Sequence, residues 1–231
     1  VIRAFGTYDA ARHPRTGVLI EGLRARGYAV QEVNRPLGFT TAERVRMLRE
    51  PWRLPTLLLR LLGCWALLAA DVVRARRTGR PDAVLVGYLG HFDVVLARLL
   101  HPRTPLVLDH LVFAGDTATD RGARGLRVRL LRGLDRLATA CADVVVVDTG
   151  EHRAMLADPI RGVVVPVGAP GRWFARAEGP RAAAEPGPGA GSALLRLVFF
   201  GLFTPLQGAT VLGDALALAL PRAAAEGRHV E

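Results

Sequence analysis

The 231-residue sequence is half hydrophobic, carries a formal net charge of +10, and contains no lysine, so all 31 of its Lys/Arg positions are arginine. A chain of this size and apolar content can bury a sizeable core, while the missing lysine excludes a Walker A phosphate grip, a kinase-type ATP lysine and a Schiff base. The single serine, Ser192, sits in a glycine-rich stretch and excludes a serine-nucleophile elbow, and the wealth of Ala, Gly, Pro, Leu and Arg marks the charge as compositional rather than as a nucleic-acid patch.

Strand-like apolar runs alternate with helix-like stretches along the chain, the pattern of a parallel sheet with helices on both faces. "VIRAFG" reads as the first strand, "TGVLIEGLRARG" as a helix closed by Gly27, and "YAVQEVNRP" as a second strand with alternating burial. The region from Thr40 to about Arg77 is helical and rich in Leu and Arg, with Pro51 and Pro55 expected to break or kink it. Within it, Leu54 to Val73 is the most apolar segment. Arg60 and Asp71 leave an uncharged run of only about ten residues, too short to span a bilayer. It is read as a core helix, with docking on anionic lipid as the alternative.

"DAVLVGY" is the third strand, followed by "GHFD" and a short helix to Leu100. "TPLVLDHLV" is the next buried strand, leading into an expected polar loop, "FAGDTATDRGARG". A helix from Leu126 to Cys141 follows, with Leu130, Leu131, Leu134, Leu137 and Ala138 expected on its core face. "DVVVVDT" and "GVVVPVGA" complete the first unit. The aperiodic "AEGPRAAAEPGPGAGSA" is a linker, and "LRLVFFGLFTPLQGATVL" opens a new strand-turn-helix unit. The expected division is thus 1–169 for a Rossmann-like domain, 170–194 for a linker, and 195–231 for the start of a second domain left incomplete. Cys64 and Cys141 show no CxxC or Cys/His clustering, which points to core thiols, no zinc site and a reducing, cytoplasmic compartment.

Ligands of a doubly wound sheet sit at the carboxyl ends of its strands. The loop after the first strand, "TYDAARHPRTG", lacks GxGxxG, which argues against a nicotinamide dinucleotide. Gly17 at the expected helix start, with Arg12, His13 and Arg15 nearby, suits an anion as well as it suits an ordinary capped helix. "GYLGHFD" offers His91 and Asp93, the latter also a natural helix cap. "DHLVFAGDTATDRG" gathers Asp109, His110, Asp116, Asp120 and Arg121. Carboxylates beside an imidazole can orient sugar hydroxyls or serve as acid and base; the same residues also suit a polar loop with local pairing. Asp148 and Thr149 read as helix-capping residues. Gly201, Gln207 and Gly208 form a turn able to hold a phosphate on backbone N–H groups.

The order of "HPRTGVLIEGLRARGYAVQEVN", "ADVVVVDTGEH", "GVVVPVGAPGRWF" and "LVFFGLFTPLQGATVLGDAL" resembles the GT-B glycosyltransferases, in particular glycosyltransferase family 4, over nearly the whole chain. The resemblance implies an N-terminal acceptor-side domain (1–169), the beginning of a nucleotide-sugar-binding domain, and transfer of a sugar, with retention, to a hydroxyl of a polysaccharide, glycolipid or other envelope precursor. It places Asp109 and His110 at the reaction centre. His91, Asp116, Asp120 and Arg121 fall on the acceptor side, and Arg12, Arg15, Gly17, Gly201, Gln207 and Gly208 against the donor phosphates. It implies no metal and no cofactor beyond the nucleotide-sugar. The implied partners are a glycan or lipid-linked acceptor and peripheral contact with anionic membrane, in the cytoplasm or on the inner face of the membrane, with no nucleic acid. The sequence departs from the family at Leu202 and Gln207, where an Arg and a Lys are usual. The family's paired glutamates would lie beyond Glu231, so the 231 residues alone are expected to be inactive. An epimerase of the same fold and a non-enzymatic basic module that binds membrane or polyanion are the rival readings.

Overall fold

The structure, a computed structural model, describes residues 1–39, 43, 50, 52, 54–177, 197–199 and 208–227. The chain divides into two compact units, Val1–Phe174 and Ala175–Glu231. The first is built on six strands: β1 (Ile2–Gly6), β2 (Val30–Asn34), β3 (Ala83–Val86), β4 (Leu106–Asp109), β5 (Val144–Val147) and β6 (Gly162–Val164). All five pairings are parallel, in the order β2-β1-β3-β4-β5-β6. Parallel neighbours cannot be joined by a tight turn, so each step needs a crossover. These contain α1 (Pro14–Ala25), α2 (Leu54–Ala75), α3 (Asp93–Leu100), α4 (Ala114–Asp120), α5 (Leu126–Cys141) and α6 (Gly150–Ala154). The fold is therefore α/β, a Rossmann-like doubly wound parallel sheet, as the alternation of patterns predicts.

Side-chain alternation divides the core between the two faces of the sheet. Phe5, Val84, Val86, Leu106, Leu108, Val145 and Val147 pack against Leu68 and Val72 of α2, Val94 and Ala97 of α3, and Ala138 of α5. Ala4 and Leu85 point the other way, onto Tyr8 and Ile20 of α1. A fully buried Val or Leu contributes about 1.5–3 kcal/mol, so the three-helix face dominates the stability of the unit.

Several expectations are corrected. Residues 114–120, read as polar loop, form α4, because its first N–H groups, on Ala114 and Gly115, are satisfied by the carboxylate of Asp135 on the following helix. In α5 the buried positions are Val128, Asp135, Ala138 and Thr139, while Leu130 and Leu137 are exposed. The helix is rotated so that Asp135 points inward, away from the face the leucine spacing suggests. Pro55 is the second residue of α2 and helps to start it; Pro51 lies outside the described residues. Residues Gly171–Ala177, at the start of the expected linker, form a short helix, α7, entered from Pro170.

In the second unit, α8 (Ala209–Ala225) follows Gly208, whose φ of 70° is the left-handed conformation that glycine adopts without strain. Helix α8 buries none of its residues. Gly201 and Gln207 lie outside the described residues, and Leu197 to Phe199, the described part of the expected strand before them, are not in a strand, with Leu197 and Val198 exposed.

Asp93, the first residue of α3, joins three elements. Its Oδ2 accepts from the backbone N–H and the hydroxyl of Thr7 after β1 (2.7 and 2.8 Å), and its Oδ1 accepts from the Trp65 indole of α2 (2.9 Å). The carboxylate thus braces the sheet edge from the first turn of α3. Asp93→Ala is expected to lower unfolding stability by about 2–4 kcal/mol, because buried donors would lose their acceptor. Urea unfolding followed by circular dichroism measures it.

Candidate functional site

The sheet order reverses between β1 and β3, and the crevice at the carboxyl ends of those strands is where a fold of this class takes its ligand. One wall is the turn after β3. Side chains are excluded at both of its glycines: a Cβ on Gly87 would lie 2.8 Å from Tyr8 and Thr16, and one on Gly90 would lie 2.4 Å from Val86. Between them Leu89 adopts a φ of 64°, a left-handed conformation that a bulky residue holds only when its surroundings impose it. The Tyr88 N–H donates to the Thr16 hydroxyl (3.1 Å), and the Tyr88 ring meets the His13 ring edge-on. The turn is thus fixed against the first turn of α1.

The floor is the end of β4. Asp109 and Arg15 form a buried ion pair, with Arg15 Nε donating to Asp109 Oδ1 at 2.7 Å and Arg15 Nη2 donating to the Val165 carbonyl at 3.0 Å. Burial raises the Asp109 pKa above the usual carboxylate range, and the Arg15 hydrogen bond and charge oppose that rise. Its second oxygen, Oδ2, is buried without a hydrogen-bond partner among the described residues.

His110 is 1 % exposed, and its backbone N–H donates to Val146 of β5 (2.8 Å), which continues the strand pairing and fixes the residue. Neither ring nitrogen has a hydrogen-bond partner among the described residues. Its Nε2 lies 3.8 Å from Asp135 Oδ1. The same oxygen accepts from His91 Nε2 at 3.1 Å, which sets the His91 tautomer because an ionised carboxylate can only accept. Burial works to raise the Asp135 pKa, but His91 and the N–H groups of Gly115 and Ala114 outweigh it and hold the carboxyl below its usual range. For His110 the balance runs the other way: burial, and then His91, push its pKa down. The ring is neutral at physiological pH, with one N–H and one lone pair available.

Aromatic contacts extend the cluster. His91 meets His110 (ring centroids 4.9 Å apart), His110 meets Phe113 (4.6 Å), and Phe113 meets His152 (5.5 Å). His152 in turn pairs through Nδ1 with Asp148, while Thr149 caps α6 by accepting from the His152 N–H. One donor atom from each of His91, His110 and Asp135 lies within 4.8 Å of the others. These are metal-ligand types, although both Asp135 oxygens already accept N–H groups.

The structure thus gathers Asp109, His110 and His91 at one sheet edge and adds Asp135 and His152. Sequence spacing missed Asp135 because it sits in a leucine-arginine helix, and passed over His152 as part of a capping turn. Arg15 lies at the same edge, its guanidinium engaged by Asp109. Other expected site residues are placed elsewhere or in helix rather than loop. Gly17 is the fourth residue of α1, in its first turn, because Pro14 starts the helix two residues earlier than expected. Arg12 pairs on the surface with Asp9 at 3.4 Å. Asp116 pairs with Arg132 at 3.0 Å. Asp120 and Arg121 are exposed at the far end of α4, about 10 Å along the helix from its start. Gly208 belongs to the second unit.

No known protein-family model matches the chain, and no curated protein matches it.

A buried neutral imidazole links stability to pH. At the opposite edge of the sheet His101 is pushed down to about 4 by burial and by Arg3 and Arg76, in the same direction as His110. The unfolded chain, with imidazoles near 6.5, binds protons that the folded chain refuses. Stability is therefore fully present above about pH 6.5 and is lost as pH falls toward 4, by on the order of 3 kcal/mol for His101, with His110 adding in the same direction. Urea midpoints measured across that range are expected to fall on acidification; a flat profile would contradict burial of neutral rings.

Proposed function

We propose that this chain is the acceptor-side part of a glycosyltransferase of the GT-B type, similar to family 4, which moves a sugar from a nucleotide-sugar to a hydroxyl. The observation that carries the reading is His110: a neutral, buried imidazole with both nitrogens unengaged, beside a carboxylate, at the sheet edge where this fold takes ligands. Such a ring can accept the proton of an attacking hydroxyl or orient it by hydrogen bonding. His91, held by Asp135, positions the cluster. The buried Arg15–Asp109 pair shapes the floor, so on this reading the donor phosphates meet the N–H groups of the first turn of α1 and groups of the donor-binding half rather than Arg15.

The acceptor is lipid-linked in this reading, and the support is the outer surface of the layer formed by α2, α3 and α5. On α2, Leu58, Leu59 and Leu62 are exposed, Leu59 at 71 %; on α5, Leu126, Leu130 and Leu137 are exposed, Leu126 at 68 %. Arg127, Arg129 and Arg136 stand among the latter. The three carboxylates of these helices are spoken for: Asp93 and Asp135 are buried, and Asp71 pairs with Arg35 and Arg74. Leucine interleaved with arginine on a surface lacking unpaired acid suits the headgroup region of an anionic bilayer. Against the expectation of a run too short to span, helix α2 is by length and composition long and apolar enough to cross a membrane, because the whole Leu54–Ala75 segment is helical and Arg60 and Asp71 are too few to break its apolar character. Its inner face, however, packs into the core through Leu61, Leu68 and Val72, which suits lying on a bilayer rather than spanning it.

In a sugar-transfer assay of the protein, His110→Ala is expected to lower kcat about 100-fold or more with a far smaller change in nucleoside diphosphate affinity. An unchanged rate would sink the assignment. The 231-residue chain is expected to sediment with phosphatidylglycerol vesicles and not with phosphatidylcholine vesicles. Leu59→Glu with Leu62→Glu should weaken that partitioning about tenfold or more. Equal binding to both lipids would reject the docking.

A further inference from the structure

A cavity of about 270 Å³ opens at the amino-terminal edge of the sheet, the edge opposite the His110 cluster. Its walls come from the start of β1, the turn after α2 and the turn after α3. The charged or titratable side chains that line it are Arg3, Arg76, Arg80, Arg103 and His101, and no carboxylate lines it. Four arginines without an acid are unusual around one cavity, because each guanidinium raises the free energy of the others.

Arg3 makes the case specific. It is 1 % exposed, and burying a guanidinium is costly unless a partner neutralises it. Its Nε and Nη2 donate to the neutral amide oxygen of Gln31 (3.2 and 2.9 Å), while Nη1 is buried without a hydrogen-bond partner among the described residues. His101 Nε2 is also buried and without such a partner. Arg76 reaches back to the Leu100 carbonyl at 3.2 Å, which holds its guanidinium at the rim. Arg80 and Arg103 are exposed on the two bordering turns. Burial, together with the charge of Arg76, depresses the Arg3 pKa, the response of a cation held among cations.

We propose that this cavity is a binding site for a phosphate-bearing anion, separate from the sheet edge that carries the sugar-transfer reading and independent of it. Guanidinium forks match phosphoryl oxygens in geometry and charge. Arg3 Nη1 supplies a donor at the base, His101 Nε2 an N–H beside it, and Arg76, Arg80 and Arg103 close over the outer oxygens. The volume lies below that of a drug-sized ligand pocket, which selects a phosphoryl group with a small part of whatever it esterifies. The phosphoryl group can belong to a soluble ester or to a lipid headgroup.

Calorimetric titration of the 231-residue chain with inorganic phosphate at constant ionic strength tests the proposal, with Arg76→Ala combined with Arg103→Ala as the probe. Both positions are solvent-facing, so this double variant keeps the core intact where Arg3→Gln risks misfolding. Saturable binding weakened about tenfold or more in the double variant supports a site for soluble phosphate. If phosphate gives no heat, the second arm compares vesicles containing phosphatidic acid with equally charged phosphatidylglycerol vesicles. A preference for phosphatidic acid that the double variant erases supports a headgroup site. Absence of both effects, or phosphate binding that the double variant leaves unchanged, overturns the proposal.

Discussion

The carboxylate of Asp135 holds the candidate site together. It accepts from the first two N–H groups of α4 and from the His91 ring, and it lies beside His110, so one buried charge fixes a helix start and the placement of two imidazoles. A buried carboxylate is tolerated only when its lone pairs are filled, and here the protein fills them with two main-chain dipoles and a ring N–H. Helix α4 in turn exists where its composition, AGDTATD, offers little intrinsic helicity. The site and the local fold are therefore one construction: removing the charge would release the start of α4 and the His91 ring together.

Electrostatics separates the two edges of the sheet. At the carboxyl edge acids and bases are paired inside the protein, Arg15 with Asp109 and His91 with Asp135, which leaves His110 a neutral imidazole without a hydrogen-bond partner on either ring nitrogen among the described residues. At the amino edge positive groups meet with no carboxylate between them. The same all-arginine composition thus yields a balanced edge and an unbalanced one, and position along the strands decides which. The overall charge of +10 hides this difference, since it counts every arginine alike.

The strands were legible because parallel strands buried on both faces must be runs of Val, Leu and Ala, and the glycine and proline punctuation between them is strong. Asp109 and His110 were legible for a related reason: a polar pair directly after such a run must stand at the sheet edge. What was hidden depends on contacts distant in sequence. Helix α4 is capped by a residue twenty positions away, so its own letters read as loop. The inward turn of α5 follows from Asp135, so the buried face is rotated from the leucine stripe: Ala138 is buried as expected and Leu131 and Leu134 are half-buried, while Leu130 and Leu137 face solvent. The start of α1 lies two residues before the expected Thr16, because Pro14 is a good first helical residue. The basic cavity was invisible because its arginines come from the first strand and two later turns, which only the sheet brings together.

Arg15 reaches from the first turn of α1 to Asp109 at the end of β4 and to the Val165 carbonyl beyond β6, so a single side chain straps α1 to two strands on the other side of the sheet. Such a strap resists widening. Moving α1 away from the ends of β4 and β6 would leave the buried Asp109 carboxylate without its cation, so the carboxyl edge is held at one spacing by the cost of an unpaired buried charge.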